Sequence, residues 1–336
     1  MPRLVDRFPQ VEADRLVSEL VPPPRFAAES FETYLPDLSQ PTQAAAVAGL
    51  RTFAAQLAAP QVTSRFRFRR AAPPEGRAGI YLDGGFGVGK THLLASVWHV
   101  APAPKAFGTF VEFTHLVGAL GFAGAVDALA THRLVCVDEF ELDDPGDTVL
   151  MSTLLNRLVD AGVRLAATSN TLPDRLGEGR FAADDFLREI QGLAAHFDVY
   201  RVDGEDYRHR GLPTPPAPRT EADVRAAAAD RGWLDDFPGL IAHLARVHPS
   251  RYGALLDGVG RLHLTGVRPL ADQADALRLV VLADRLYDRD IAVIASGVPL
   301  DEVFSAEMLR GGYRKKYYRA ISRLVALARE GAGLSE

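Results

Sequence analysis

The sequence predicts an α/β fold: a parallel sheet flanked by helices, followed by a mostly α-helical C-terminal domain. Three observations predict it. Short apolar runs at 79–83, 134–137, 163–168 and 197–202 alternate with helical patterns, which is the rhythm of βαβ units. A glycine-rich turn, Gly84 to Thr91, joins the first of these runs to a helix. Beyond Leu212-Pro213-Thr214-Pro215-Pro216-Ala217-Pro218 the pattern becomes mainly helical, and such a proline cluster reads as a linker.

Composition bounds the problem. A chain of 336 residues, 47% hydrophobic and 24% charged, has the make-up of an ordinary globular protein of about two domains. The net charge of −5 gives no support to a surface that coats nucleic acid. Cys136 is the single cysteine, which excludes an internal disulfide and fits a reducing compartment. No apolar run approaches the ~18 residues that span a bilayer, and Met1 to Arg7 lacks the apolar core of a leader. The expectation is a cytoplasmic protein. Its expected divisions are 1–75 (helical segment and linker), 76–211 (α/β core), 212–218 (Pro-rich linker) and 219–336 (mostly helical domain).

The elements follow in chain order. Val11 to Val21 is amphipathic, and Pro22-Pro23-Pro24 stops any helix there. Pro41 to Leu57 reads as a helix with proline in its first turn. Arg65-Phe66-Arg67-Phe68-Arg69-Arg70 alternates at period two, the pattern of a short strand with a basic face. The core opens with a strand over 79–83 and a helix over 91–100. A second strand is expected at Thr109 to Phe113, with helical residues to about Thr131. Leu134 to Val137, wholly apolar, reads as a central parallel strand. Asp147 to Ala161 carries the stripe Leu150, Met151, Leu154, Leu155, Leu158 of an amphipathic helix. Strands are expected at 163–168 and 197–202. Helices are expected at 221–231, 240–247, 271–287 and 313–328, with a short strand at 291–294.

Gly84 to Thr91 fits Gly-x-x-x-x-Gly-Lys-Thr, the phosphate-binding P-loop. Its glycines let backbone N–H groups converge on phosphate oxygens, and the following helix turns its positive end toward them. Gly84, Gly85, Phe86, Gly87, Val88, Gly89, Lys90, Thr91 and His92 are therefore the candidate ATP-binding stretch. Lys90 is placed to reach the β- and γ-phosphates, and the Thr91 hydroxyl to ligate Mg²⁺. The run ending in Asp138-Glu139, 48 residues after Lys90, has the form of a Walker B motif. Asp138 at the strand end is the second candidate Mg²⁺ ligand, and Glu139 is placed to polarise the attacking water. Asn170, closing Ala167-Thr168-Ser169-Asn170, presents a neutral amide where the sensor-one residue of AAA+ ATPases reads the γ-phosphate. Arg175, Arg180 and Arg188 follow, and Arg180 is the first candidate for an arginine acting on a neighbouring subunit's nucleotide. The last helix, Tyr313 to Leu324, interleaves cations and aromatics. It suits a single-stranded nucleic acid, or nucleotide contact by Arg319 and Arg323, or simply a solvated basic face. The nine histidines show no metal-ligand spacing.

These residues together resemble the ZapE cell-division ATPases and their AFG-one-like mitochondrial relatives, within the AAA+ superfamily. The telling segments are Leu134 to Phe140, Leu165 to Asn170, Asp206-Tyr207-Arg208, Asp284-Arg285-Leu286-Tyr287-Asp288 and Arg319 to Leu324. The resemblance spans roughly residues 30 to 328 and implies a P-loop AAA+ core, an α-helical lid, ATP hydrolysis with Mg²⁺, and a ring or partial ring of identical subunits. For bacterial members it implies action at division on the filament protein FtsZ. The rival expectation is an ATP-switched nucleic-acid-binding module such as a helicase loader.

Overall fold

The apolar runs become strands of a parallel sheet in a computed structural model that describes residues 1–10, 13–59, 77–85, 87–140, 145–172, 187–204, 215–229 and 232–333. By their contacts the residues form two compact units. One consists of Ala13–Pro22 and Phe26–His209, and the other of Met1–Glu12, Pro23–Arg25 and Arg210–Glu336.

The first unit contains α1 (Ala13–Ser18), α2 (Pro41–Ala58), β1 (Gly79–Gly84), α3 (Lys90–Val100), β2 (Lys105–Thr109) and α4 (Phe110–Leu129). It continues with β3 (Leu134–Asp138), α5 (Pro145–Asp160), β4 (Arg164–Ser169), α6 (Leu187–Ala194) and β5 (Phe197–Val202). Its five strands are parallel and ordered β2-β3-β4-β1-β5. Alternation along the strands supplies two cores, as a period of two requires. Ile80, Leu82, Leu134 and Cys136 join α2 and α3 on one face. Tyr81, Val135, Val137 and Leu165 join α4 and α5 on the other. The P-loop strand β1 lies between β4 and β5, so its C-terminal end opens among the other strand ends, where ligands bind in open parallel sheets.

Two expectations change here. The strand expected at Thr109–Phe113 lies earlier, at Lys105–Thr109, and Phe110 begins a helix. Thr109 explains the switch, because it forms a capping box with Glu112. The Thr109 hydroxyl accepts the Glu112 N–H at 3.3 Å, and Glu112 Oε2 accepts the Thr109 N–H at 2.6 Å. The resulting α4 also changes the expectation that no apolar run approaches membrane-spanning length, because by length and composition alone it is apolar enough to cross a membrane. Gly121 interrupts it with φ 71°, and Phe113, Leu116 and Leu129 are buried in the core of this unit.

The second unit contains α7 (Glu221–Ala228), β6 (Trp233–Asp236), α8 (Phe237–Leu244), α9 (Tyr252–Leu255), β7 (Arg261–Val267), α10 (Gln273–Asp288), β8 (Ala292–Gly297) and α11 (Arg314–Gly331). It is mostly helical, as expected, but its core is built on a three-stranded parallel sheet, β6-β7-β8. Of these strands only β8 was expected. Residues 1–8 complete this unit. Leu4 is fully buried in its core, and the buried Asp235 carboxylate accepts the N–H groups of Leu4 (2.8 Å) and Val5 (3.2 Å). Burial raises the Asp235 pKa, and those two N–H donors oppose the shift.

Candidate active site

The turn after β1 has the conformation its glycines permit. Gly87 and Gly89 take φ of 72° and 87°, in the left-handed region that side chains with a Cβ avoid. A Cβ on Gly89 would lie 2.5 Å from the Tyr34 ring, and one on Gly84 would run into the Val202 carbonyl. Helix α3 begins at Lys90 itself, so its free N–H groups face the loop. Lys90 Nζ donates to Gly84 O (2.8 Å), Gly85 O (2.5 Å) and Asn170 Oδ1 (2.9 Å). The ammonium thus sits at the loop's mouth, joined to the expected sensor amide from the end of β4.

The Walker B carboxylate of Asp138 comes to the start of α3 from the end of β3. Thr91 Oγ1 donates to Asp138 at 3.0 and 3.2 Å, and the Thr168 hydroxyl donates to Asp138 Oδ1 at 2.5 Å. Burial first, and then the charge of Glu139, push the Asp138 pKa up to about 6. The two hydroxyls and the Lys90 charge pull against that shift. A buried carboxylate beside a hydroxyl is a hard-oxygen pair, and it suits Mg²⁺. Among the described residues no group of three or more His, Cys, Asp or Glu side chains could hold a metal. Glu139 takes φ 54°, a left-handed conformation that costs on the order of 1 kcal/mol or more outside glycine.

Sequence reasoning missed several contributors, and the partners of the expected His92, because these contacts span long stretches of chain. The Tyr34 hydroxyl donates to Val88 O at 3.0 Å, in the crest of the P-loop. His92 lies edge-on to Tyr34 at 5.3 Å. One His92 nitrogen meets Ser30 O (2.9 Å) and Thr33 Oγ1 (3.0 Å), and the other lies 3.2 Å from Glu29. His92 therefore fastens the start of α3 to residues 29–34. Arg201 on β5 pairs with the buried Asp83 that precedes the loop, and with Asp203 at 2.8 Å. The hydrogen bonds to Asp203 and Asp83 raise the Arg201 pKa.

Two further expected residues make contacts of their own. Arg319 and Arg323 of α11 both reach Asp284 of α10, Arg319 at 2.8 Å, all within the second unit. Burial raises the Asp284 pKa, but the charges of the two arginines outweigh it and hold the carboxyl below its ordinary value of 3.8. Phe86, Arg175, Arg180, the 65–70 stripe and Asp206-Tyr207-Arg208 lie outside the described residues. Arg188 falls within α6, but its side chain is likewise outside them. Cys136 is a buried strand residue whose thiol pKa burial pushes well up, as for a small hydrophobe.

The sequence has counterparts among known proteins. The model of the AFG1-like ATPase family matches residues 10–237 and 214–332. Cell division protein ZapE of Escherichia coli is 27% identical over 297 residues, covering 75% of this chain and 78% of that protein. An uncharacterised protein of Schizosaccharomyces pombe is 29% identical over 148 residues, covering 39% of this chain and 33% of that one. Among solved structures, the crystal structure of DnaI gives a TM-score of 0.43 at 17% identity, covering 56% of this chain and 96% of that one. With both its P-loop unit and its C-terminal unit inside the family match, the chain belongs to the AFG1-like ATPases.

Proposed function

We propose that this ATPase couples ATP hydrolysis to remodelling of a protein partner during cell division, with the FtsZ filament as that partner. The observation that carries the chemical part is the pairing of four groups from three strand ends, those of β1, β3 and β4. Lys90 donates a hydrogen bond to Asn170, and its neighbour Thr91 donates to Asp138. The similarity to ZapE supports the division role.

In this reading the loop amides and Lys90 bind the ATP phosphates. Thr91 and Asp138 would hold Mg²⁺, which when bound supplies positive charge to the phosphate oxygens as negative charge builds there. Glu139 orients the attacking water and takes its proton. Asn170, already within hydrogen-bond reach of Lys90, senses the γ-phosphate. Identical subunits assemble into a ring or partial ring in the cytoplasm, with Arg180 acting on the neighbouring subunit's nucleotide.

The second reading is an ATP-switched nucleic-acid-binding module. On α11 the exposed Arg314 and Tyr318, four residues apart, place a cation and a half-exposed ring on one helix face. One experiment separates the two: ATP turnover by wild type and Lys90→Ala, each with FtsZ or with single-stranded DNA. Stimulation by FtsZ that is lost in Lys90→Ala is the expected result. Stimulation by DNA alone, weakening steeply with salt, overturns the remodelling reading in favour of the second.

A further inference from the structure

A buried hydroxyl bonds both Walker B residues, the Asp138 carboxylate and the Glu139 backbone, on a residue to which the site's chemistry gives no task. Thr168 is on β4 and 1% exposed. Its hydroxyl donates to Asp138 Oδ1 at 2.5 Å and accepts the backbone N–H of Glu139 at 3.0 Å. Its carbonyl accepts the N–H of Phe140 at 2.7 Å. The ladder between β3 and β4 ends at Val137 and Ala167. One residue further on, the Thr168 side chain takes the place of a ladder rung and holds the Glu139 N–H.

That substitution has a conformational consequence. Glu139 occupies a left-handed backbone conformation, which persists only where its surroundings over-determine it. Thr168 grips the backbone on both sides of the Glu139 Cα, through the N–H of Glu139 and the N–H of Phe140. The Phe140 ring anchors the far side, buried edge-on to Phe110 at 5.4 Å. A hydroxyl is suited to the double task, because it donates one hydrogen bond while accepting others. A valine of the same shape does neither.

We propose that Thr168 is a positioning residue for ATP hydrolysis: its hydroxyl orients the Asp138 carboxylate and, through the Glu139 N–H, aims the Glu139 side chain. The proposal rests on the reading of Asp138 and Glu139 as metal ligand and base. Outer groups that orient such residues are worth about 10- to 100-fold when removed, so Thr168→Val lowers kcat by that factor. KM and the equilibrium affinity for a fluorescent ATP analogue change by less than about threefold, since the P-loop contacts remain. Thr168→Ser keeps the hydroxyl and stays within about threefold of wild-type kcat.

The test measures turnover, analogue affinity and thermal midpoint for full-length wild type, Thr168→Val, Thr168→Ser, Glu139→Gln and the Thr168→Val/Glu139→Gln double variant. The expected pattern is a kcat-specific loss in Thr168→Val, rescue in Thr168→Ser, and little further loss from Thr168→Val once Glu139 is Gln. Should Thr168→Val not fold, Thr168→Ala carries the same expectation. Wild-type kcat in Thr168→Val beside an inactive Glu139→Gln overturns the role of Thr168 while leaving the base assignment standing. A lowered midpoint with kcat unchanged reduces Thr168 to a structural residue and also overturns it. Wild-type turnover by Glu139→Gln removes the base, and the proposal falls with it.

Discussion

At Asp138 the molecule trades stability for chemistry. Its pKa of about 6 exceeds the ordinary 3.8, so the folded state binds the proton more tightly than the unfolded chain. The associated stability is complete below about pH 4 and is lost as pH rises through about 6, a difference of about 3 kcal/mol. In metal-free buffer Asp138→Asn is therefore expected to gain stability relative to wild type as pH rises from 4 to 7. By pH 7.5 it should be more stable by about 1–3 kcal/mol and inactive in hydrolysis. Thermal midpoints of the two proteins at pH 4.5 and 7.5 check this, and a difference that does not change with pH contradicts it. Tyr34 acts on the loop through the Val88 carbonyl. Tyr34→Phe loses a hydrogen bond worth about 1 kcal/mol, so affinity for an ATP analogue should weaken about fivefold. Unaltered affinity in a calorimetric titration would show that the Val88 contact does not shape the loop. At this scale the candidate site was legible where its chemistry is written in adjacent residues, as in Gly84–Thr91 and Asp138-Glu139. Thr168 and Tyr34 act on residues 30 and 54 positions away, and such pairings leave no local pattern.

Among the elements, the alternating apolar runs were legible because a parallel strand covered on both faces has little freedom in what it presents. The boundary at Thr109 shows how a cap overrides a pattern. Thr-Phe-Val-Glu-Phe has the β-branched and aromatic content of a strand. Its Thr109 and Glu112 nevertheless form the reciprocal bonds of a helix start, a signal as local as the one that misled. Thr109→Ala should therefore cost about 1 kcal/mol, read as a lowered midpoint in urea with unchanged slope; a midpoint equal to wild type contradicts the cap. Strand β6 was illegible for a different reason. Trp233-Leu234-Asp235-Asp236 does not alternate, and Asp235 is buried because N–H groups from residues 4 and 5 come to it.

For the whole molecule, residues 1–12 share contacts with the C-terminal unit, whereas residues 13–22 join the P-loop unit. Leu4 then belongs to a core whose other members begin at Phe237. Only the assembled fold reveals such a contact. Leu4→Ala should destabilise the protein by about 2–4 kcal/mol, and an unchanged thermal midpoint would show that the N-terminal segment is dispensable. The fold class and the family were legible because they rest on motifs and their order along the chain. The three-stranded sheet of the C-terminal unit and the engagement of Arg319 and Arg323 by Asp284 were not, because they depend on what packs beside them.

The most direct measurement of the central claim is single-turnover hydrolysis of ATP by wild type, Lys90→Ala and Glu139→Gln, alongside equilibrium binding of the same nucleotide. The account predicts that Lys90→Ala loses binding, whereas Glu139→Gln binds as wild type and hydrolyses at least about 100-fold more slowly. Wild-type hydrolysis by Glu139→Gln would contradict it.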